Sequence, residues 1–255
     1  MSKVIVLGAA GALGRHVVRQ AVAGGHAVTS LVRDPARLPD DLRATTTVVR
    51  VDLATDPEAK LDDALRGHDV LVNTAGHVSD GQAFVDLVDL IVRVVESLSA
   101  REQPVCWFLA GAALLDLDDS GRRGVDLPRI ASTYWPHRAN FDRLRATGPD
   151  WRLLCPGPMV EGPAVGIDRM RIATDTLPVE VPSIARTLPG FAVLPLFASR
   201  IPEMIVPYAD AAALMLANLD RGGAMSRRRI GLALPVGMRG SKAGGWAAKA
   251  KRSGA

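Results

Sequence analysis

The sequence predicts an α/β protein built on a doubly wound parallel sheet. Three observations carry that expectation. Short apolar runs of strand length alternate with amphipathic helical stretches from the first residues onward. A glycine-rich turn, Gly8-Ala9-Ala10-Gly11-Ala12-Leu13-Gly14, sits directly between the first apolar run and the first helical stretch. The chain is 48% hydrophobic yet only 4% aromatic, so its core must be aliphatic and closely packed, as in sheets covered by helices on both faces.

The elements follow in order. Lys3 to Leu7 is a buried strand, and Leu13 to Ala23 a helix with Leu13, Val17, Val18 and Ala21 on one face. His26 to Val32 and Thr46 to Val51 are the second and third strands. Pro57 to Arg66 is helical, and Asp69 to Asn73 is the fourth strand. Gln82 to Ser99 is a long helix with Phe84, Leu87, Val88, Ile91, Val94, Val95 and Leu98 at helical spacing. Val105 to Ala110 is the fifth strand. The next helix is expected over Pro136 to Ala146, with Pro136 in its first turn, and Trp151 to Cys155 is the sixth strand. After Pro156 the pattern degrades into a proline-rich stretch up to residue 207, of the kind that wraps over a sheet and carries substrate contacts. Asp210 to Leu219 returns to helix, and Arg228 to Ala233 reads as a last strand.

This organisation gives a nucleotide-binding part over 1–155, a substrate-covering region with the last helix and strand of the same domain over 156–239, and a mobile basic tail over 240–255. The length suits one large domain that needs neither disulfide nor metal. The net charge of +4 is uneven: from Arg221 onward there are nine Lys and Arg and no acidic residue, so the rest of the chain is mildly acidic. The tail lacks the interleaved aromatics of a single-strand nucleic-acid binder, and no nucleic-acid partner is expected. No apolar run reaches the ~18 residues of a membrane span, and no signal-peptide pattern opens the chain; a soluble, cytoplasmic monomer or homodimer is expected. Cys106 and Cys155 each lie in an apolar run and read as buried small hydrophobes. No histidines or carboxylates fall at metal-ligand spacing, so no metal site is expected.

The glycine turn carries the functional reading. Gly8 permits the tight turn, Gly11 lets the backbone approach a pyrophosphate, and Gly14 lets helix pack on strand. The residues Gly8, Ala10, Gly11, Ala12, Leu13 and Gly14 then present the free N–H groups of a helix N-terminus to phosphate. The second strand ends in Val32-Arg33-Asp34-Pro35. Arg33 is placed to pair with the 2′-phosphate of NADP, whereas a one-residue shift would bring Asp34 to a ribose hydroxyl and favour NAD. The expectation is NADP(H) over NAD(H). Asp52-Leu53 ends the third strand, where a carboxylate can meet the adenine. Asn73-Thr74-Ala75-Gly76 ends the fourth, where small residues leave room for the ribose and diphosphate.

Taken together these motifs resemble the atypical short-chain dehydrogenase/reductases, in particular their NmrA-like and flavin-reductase-like branch. The resemblance extends through Leu109-Ala110-Gly111-Ala112-Ala113, Asp150 to Pro158, and Val206 to Ala212, covering roughly residues 3–233. It implies a Rossmann fold, with Ala110, Gly111 and the turn Pro156, Gly157, Pro158 and Met159 beside the nicotinamide.

The chain departs from the active short-chain dehydrogenases in their proton-transfer set. The serine of the fifth strand end is replaced by Gly111-Ala112-Ala113, and the Tyr-x-x-x-Lys motif becomes Tyr134-x-x-x-Arg138. Arginine stays protonated and cannot relay a proton, although it can lower a tyrosine pKa or reach the cofactor ribose. Trp135-Pro136 is expected to leave Tyr134 ahead of the helix. His77, after the fourth strand, is a candidate acid near neutral pH, and His137 should border the cofactor. His16 and His26 read as structural or solvent-facing. Asp116, Asp118 and Asp119 form an acidic cluster, either facing a cationic substrate or simply solvated. The expected function is an NADPH-dependent reductase that passes hydride to a small flavin-, quinone- or carbonyl-like acceptor. The alternatives are a redox sensor that binds NADP(H) without turnover, and a cofactor-assisted isomerase, epimerase or biosynthetic enzyme.

Overall fold

The computed structural model describes residues 1–241; most of the expected basic tail therefore lies outside the described residues. Its centre is one eight-stranded sheet. The chain runs β1 (Lys3–Leu7), α1 (Ala12–Ala23), β2 (Ala27–Val32), α2 (Asp40–Thr45), β3 (Thr47–Arg50), α3 (Glu58–Leu65), β4 (Val70–Asn73), α4 (Gln82–Ser97) and β5 (Val105–Leu109). It continues through α5 (Ala131–Arg145), β6 (Trp151–Pro156), β7 (Met159–Val160), β8 (Arg171–Thr174), α6 (Gly190–Arg200), β9 (Val206–Pro207), α7 (Tyr208–Leu216) and β10 (Arg229–Ala233). The sheet order is β3-β2-β1-β4-β5-β6-β10-β8. Every pairing in it is parallel except the edge strand β8, which runs antiparallel to β10.

The period-two alternation of β1 divides the core into two layers. Ile5 and Leu7 face one side, packing with Leu61 and Leu65 of α3, Val88, Ile91 and Val95 of α4, and Leu144 of α5. Val4 and Val6 face the other, against Leu13, Val17, Val18 and Ala21 of α1 and Ala211, Ala212 and Leu214 of α7. Each fully buried aliphatic side chain contributes about 1.5–3 kcal/mol, so these layers hold the strands in register. In β1, Leu7 lies level with Leu31 of β2 and Asn73 of β4. The carboxyl ends of three strands thus finish together, bringing their loops to one edge. The sequence order reverses between β1 and β4, which opens a crevice at that edge.

Four features differ from the sequence reading. α5 starts at Ala131, not at Pro136, and Tyr134 lies inside it. The helix is nucleated upstream: the N–H groups of Ala131 and Tyr134 bond the carbonyls of Leu127 and Ile130. Pro136 therefore costs only the bond to the carbonyl of Ser132, an exposed residue. The stretch 156–207 is not featureless. It holds the short parallel pair β7–β9, the edge strand β8, and α6. α2 also forms, burying one residue, Leu42.

Candidate nucleotide-binding cleft

The glycine turn is built as its spacing requires. Gly8 has φ +76, and a β-carbon there would come 2.8 Å from the Ala75 nitrogen. A β-carbon on Gly14 would come 2.3 Å from the Gly8 oxygen and 2.9 Å from the Ala9 Cα, so α1 and β1 meet at this residue only because it has no side chain. Thr74 ties the turn to β4: its hydroxyl donates to the Leu7 oxygen at 2.8 Å and its N–H to the same oxygen at 2.9 Å. The Asn73 carboxamide is buried and accepts from Ala75 N at 3.0 Å. Asn73 and Thr74 thereby hold the floor of the crevice. Above it, α1 begins after Gly11 with no side-chain cap and no acidic residue in its first turn. Its first N–H groups, from Ala12 to Gly14, are left for an anion. Arg15, which the sequence reading did not single out, stands in the same turn, with its Nε 3.4 Å from the Gly11 oxygen.

At the end of β2 the side chains of Arg33 and Asp34 divide. Asp34 accepts from Ala36 N at 3.0 Å and caps the short 3-10 turn Pro35–Arg37. Arg33 is exposed and makes no ion pair among the described residues. Asp52 is in part committed locally, accepting from Ala54 N at 3.1 Å, and Leu53 packs against the core.

The carboxyl ends of β4, β5 and β6 open into a cleft of about 600 Å³. Its floor is Gly76, Ala110 and Gly111, and one wall is the turn Pro156, Gly157, Pro158 and Met159. That turn is pinned by β9 and the segment before it. Val206 N donates to the Pro158 oxygen at 3.1 Å, and a β-carbon on Gly157 would come 2.4 Å from the Met204 oxygen. Gly76, at φ +87, lies so close to Phe84 that a β-carbon would meet its ring at 2.5 Å. The opposite wall is α6, through Leu194, Phe197 and Ala198. The proline-rich stretch hid these residues because α6 is apolar nearly all round and contains Pro195, so it shows no polar face to reveal its period. Among the described residues no Asp, Glu, Lys or Arg lines the cleft, and the polar side chains that do are His77, Tyr134, His137 and Tyr208.

On α5 the geometry corrects the expected pairing. Arg138 donates to Asp126 Oδ1 at 2.8 Å and to the Val125 oxygen at 2.9 Å, and it does not line the cleft. Spacing puts Tyr134 and Arg138 on one helix face, but the carboxylate of the preceding 3-10 turn draws the guanidinium away. Tyr134 instead lies beside His137, with ring centroids 5.8 Å apart. His137 is only 6% exposed and meets Phe84 edge-on at 5.9 Å. Burial, with a smaller push from His77, lowers its pKa to about 4, so it is neutral at physiological pH. Its Nδ1 is buried with no hydrogen-bond partner among the described residues.

His77 sits at the cleft mouth, exposed, capping the short turn that follows it; its Nδ1 lies 2.7 Å from Ser79 Oγ. His16 pairs with Glu161 at 2.9 Å and stacks on Tyr208 at 5.9 Å, clipping α1 to the segment after β7. The acidic cluster is spent on arginines: Asp116 holds Arg229 through both oxygens at 3.0 Å, Asp118 faces Arg122 at 3.6 Å, and Asp119 holds Arg186 at 2.8 Å. Both cysteines are free and buried, and burial pushes the Cys106 thiol up to about 12, well away from nucleophilic chemistry.

A parallel sheet in this order, with a glycine turn at the point where the order reverses, defines a dinucleotide-binding Rossmann protein. A family model described as NAD(P)H-binding matches residues 8–188, and the chain belongs to that family. That match agrees with the dinucleotide-binding fold read from the sheet order. No curated protein matches the sequence. Among solved structures it is similar to one from Streptococcus pneumoniae, provisionally described as an NADH-flavin reductase, with TM-score 0.67, 20% identity, and coverage of 92% of this chain and 100% of the other. A protein from Burkholderia pseudomallei, provisionally described as exported, gives TM-score 0.67, 21% identity, and coverage of 91% and 100%. One from Bacteroides thetaiotaomicron, provisionally described as an epimerase, gives TM-score 0.66, 18% identity, and coverage of 92% and 97%. At these identities the likeness is one of fold. Among the described residues no helix is long and apolar enough to cross a membrane.

Proposed function

We propose that the protein is an NADPH-dependent oxidoreductase that reduces a small organic acceptor, working in the cytoplasm where reduced nicotinamide is supplied. The observation that carries this reading is the apolar cleft of about 600 Å³ at the ends of β4, β5 and β6, one step along the sheet edge from the uncapped N-terminus of α1. When bound, a reduced nicotinamide supplies a hydride, which needs an enclosed apolar site more than it needs charged side chains. In this reading the chain's own residues do the rest. The N–H groups of Ala12, Leu13 and Gly14 receive the diphosphate, with Arg15 beside them. Arg33 receives the 2′-phosphate, and its lack of an ion pair among the described residues together with the capping role of Asp34 supports NADPH over NADH. Ala110, Gly111 and the Pro156–Met159 turn flank the nicotinamide. Residues 1–155 serve as the nucleotide-binding part and 156–239 as the cover, with α6 excluding water.

A second reading is a sensor that binds NADP(H) and does not turn over. It is favoured by Arg138, which is engaged by Asp126 and the Val125 oxygen and does not line the cleft beside Tyr134. The test is NADPH oxidation, followed at 340 nm, with a panel of quinones, flavins and aromatic carbonyls. Oxidation dependent on acceptor and on Gly14 supports the reductase. Bound NADPH that no acceptor oxidises supports the sensor.

A further inference from the structure

The inward face of α5 departs from what a helix packed on a sheet should carry. At successive turns it presents Tyr134, His137 and Asn140, three polar residues where apolar ones would be expected. His137 is 6% exposed and Asn140 only 3%, and among the described residues neither the Nδ1 of His137 nor either amide atom of Asn140 has a hydrogen-bond partner. Buried polar atoms left in this way cost about 1–3 kcal/mol each, so a use for them is expected. His137 lines the cleft, and its other nitrogen stands at the floor, where a β-carbon on Gly111 would come 3.2 Å from Nε2. The imidazole occupies that space because residue 111 is glycine.

We propose that His137 is a substrate-binding residue of the cleft, donating its imidazole N–H to the carbonyl oxygen of an uncharged, planar acceptor. This rests on the reductase reading above. A neutral imidazole keeps one N–H donor and one lone pair, and inside an apolar site such a donor is strong against developing negative charge on oxygen. Reduction of the acceptor takes one hydride, with its two electrons, from the nicotinamide, which is oxidised. It takes one proton from water, and the C=O π bond becomes C–H and O–H, or, in a quinone, the ring becomes a hydroquinone. His137 need not lose or gain a proton overall. The acceptor must be uncharged because, among the described residues, the lining offers no Lys or Arg to a phosphate or carboxylate and no Asp or Glu to a cation. Tyr134, tilted at 32° to His137, and Phe84, edge-on to it, also line the cleft and offer aromatic surface to a planar acceptor.

The test uses the full chain with NADPH and three acceptors: 1,4-naphthoquinone, a sulfonated naphthoquinone and FMN. His137→Phe keeps the ring and removes the donor, while His137→Gln keeps a donor; thermal melting and NADPH affinity confirm that both variants are folded. The expected result is that naphthoquinone is the preferred acceptor. His137→Phe should lower kcat/KM for it by about tenfold to a hundredfold, the loss of one good hydrogen bond in a dry site, with NADPH affinity unchanged. His137→Gln should recover part of that loss. In protein with 15N-labelled histidine, naphthoquinone should shift the His137 imidazole resonances when added to the NADP⁺ complex. Equal rates in wild type and His137→Phe overturn the role of His137 while leaving the reductase standing, and FMN or the sulfonate reduced as well as naphthoquinone overturns the uncharged class. Should no acceptor oxidise bound NADPH, the reductase reading fails, and the imidazole shifts still decide whether His137 binds a carbonyl ligand.

Discussion

His137 and Gly111 face each other across the floor of the cleft, so closely that a β-carbon on the glycine would lie 3.2 Å from the imidazole Nε2 and 3.4 Å from Cδ2. That distance is tighter than ordinary contact, and Phe84 meets the ring edge-on with centroids 5.9 Å apart. Gly111→Val is therefore expected to tilt or expel the imidazole. Turnover of a carbonyl acceptor should fall by about tenfold or more, with overpacking costing about 1–3 kcal/mol of stability. Steady-state kinetics beside urea denaturation would show both; a valine variant with full activity would mean that the imidazole's position does not matter.

The same histidine leaves a mark on stability against pH. Its folded pKa is depressed to about 4, below the ordinary value of 6.5. The unfolded chain thus takes up a proton that the folded chain refuses between those values. The contribution to stability is whole above pH 6.5, declines as pH falls toward 4, and is then lost, with a swing on the order of 3 kcal/mol. In urea melts across pH 4 to 8, wild type should lose stability relative to His137→Phe as pH falls, because the variant lacks this component. Parallel curves would show that His137 titrates normally.

Arg229, at the start of β10, is buried, with Asp116 holding its guanidinium through two oxygens and Asp175 at 3.4 Å. Removing a partner leaves a charge with too little compensation. Asp116→Ala is expected to destabilise by about 2–4 kcal/mol, with Asp175 limiting the loss. The predicted observation is a lower midpoint in denaturant at an unchanged slope. A loss under about 0.5 kcal/mol, the range of surface pairs, would contradict it.

Much of this arrangement was legible in the sequence, for reasons that particular residues make clear. The alternation of Val4, Ile5, Val6 and Leu7 and the spacing of Leu13, Val17, Val18 and Ala21 each bury one face, so periodicity alone places β1 and α1. The glycines at 8 and 14 are demanded by backbone contacts under 3 Å, which is why their spacing is informative. The start of α5 was not legible, because Pro136 reads as a beginning while bonds to Leu127 and Ile130 begin the helix earlier. Nor was the fate of Arg138, whose partner Asp126 lies in a 3-10 turn that leaves no pattern. Helix α6, apolar on nearly all faces, carries no period to read. His137 had a signal, a histidine three residues after Tyr134 on the same helix, but nothing in the sequence told that it would be buried with its Nδ1 unpartnered among the described residues.

At the end of β2, Asp34 and Arg33 make separable predictions. Arg33→Ala should weaken NADPH by about tenfold to a hundredfold, the worth of a charge-assisted pair with phosphate, and leave NADH unchanged. Asp34→Ala removes the cap on Ala36 N and should change neither affinity by more than a few-fold. If Asp34→Ala instead abolished NADH binding, the carboxylate and not the guanidinium would be the cofactor selector.

The central claim is that the turn Gly8–Gly14 holds a dinucleotide whose 2′-phosphate meets Arg33, and direct titration of the purified chain with NADPH and with NADH tests it most simply. Saturable binding of NADPH, at least tenfold tighter than NADH and with that preference lost in Arg33→Ala, is the result predicted. Failure of both nucleotides to bind the wild-type chain would contradict the claim at its root.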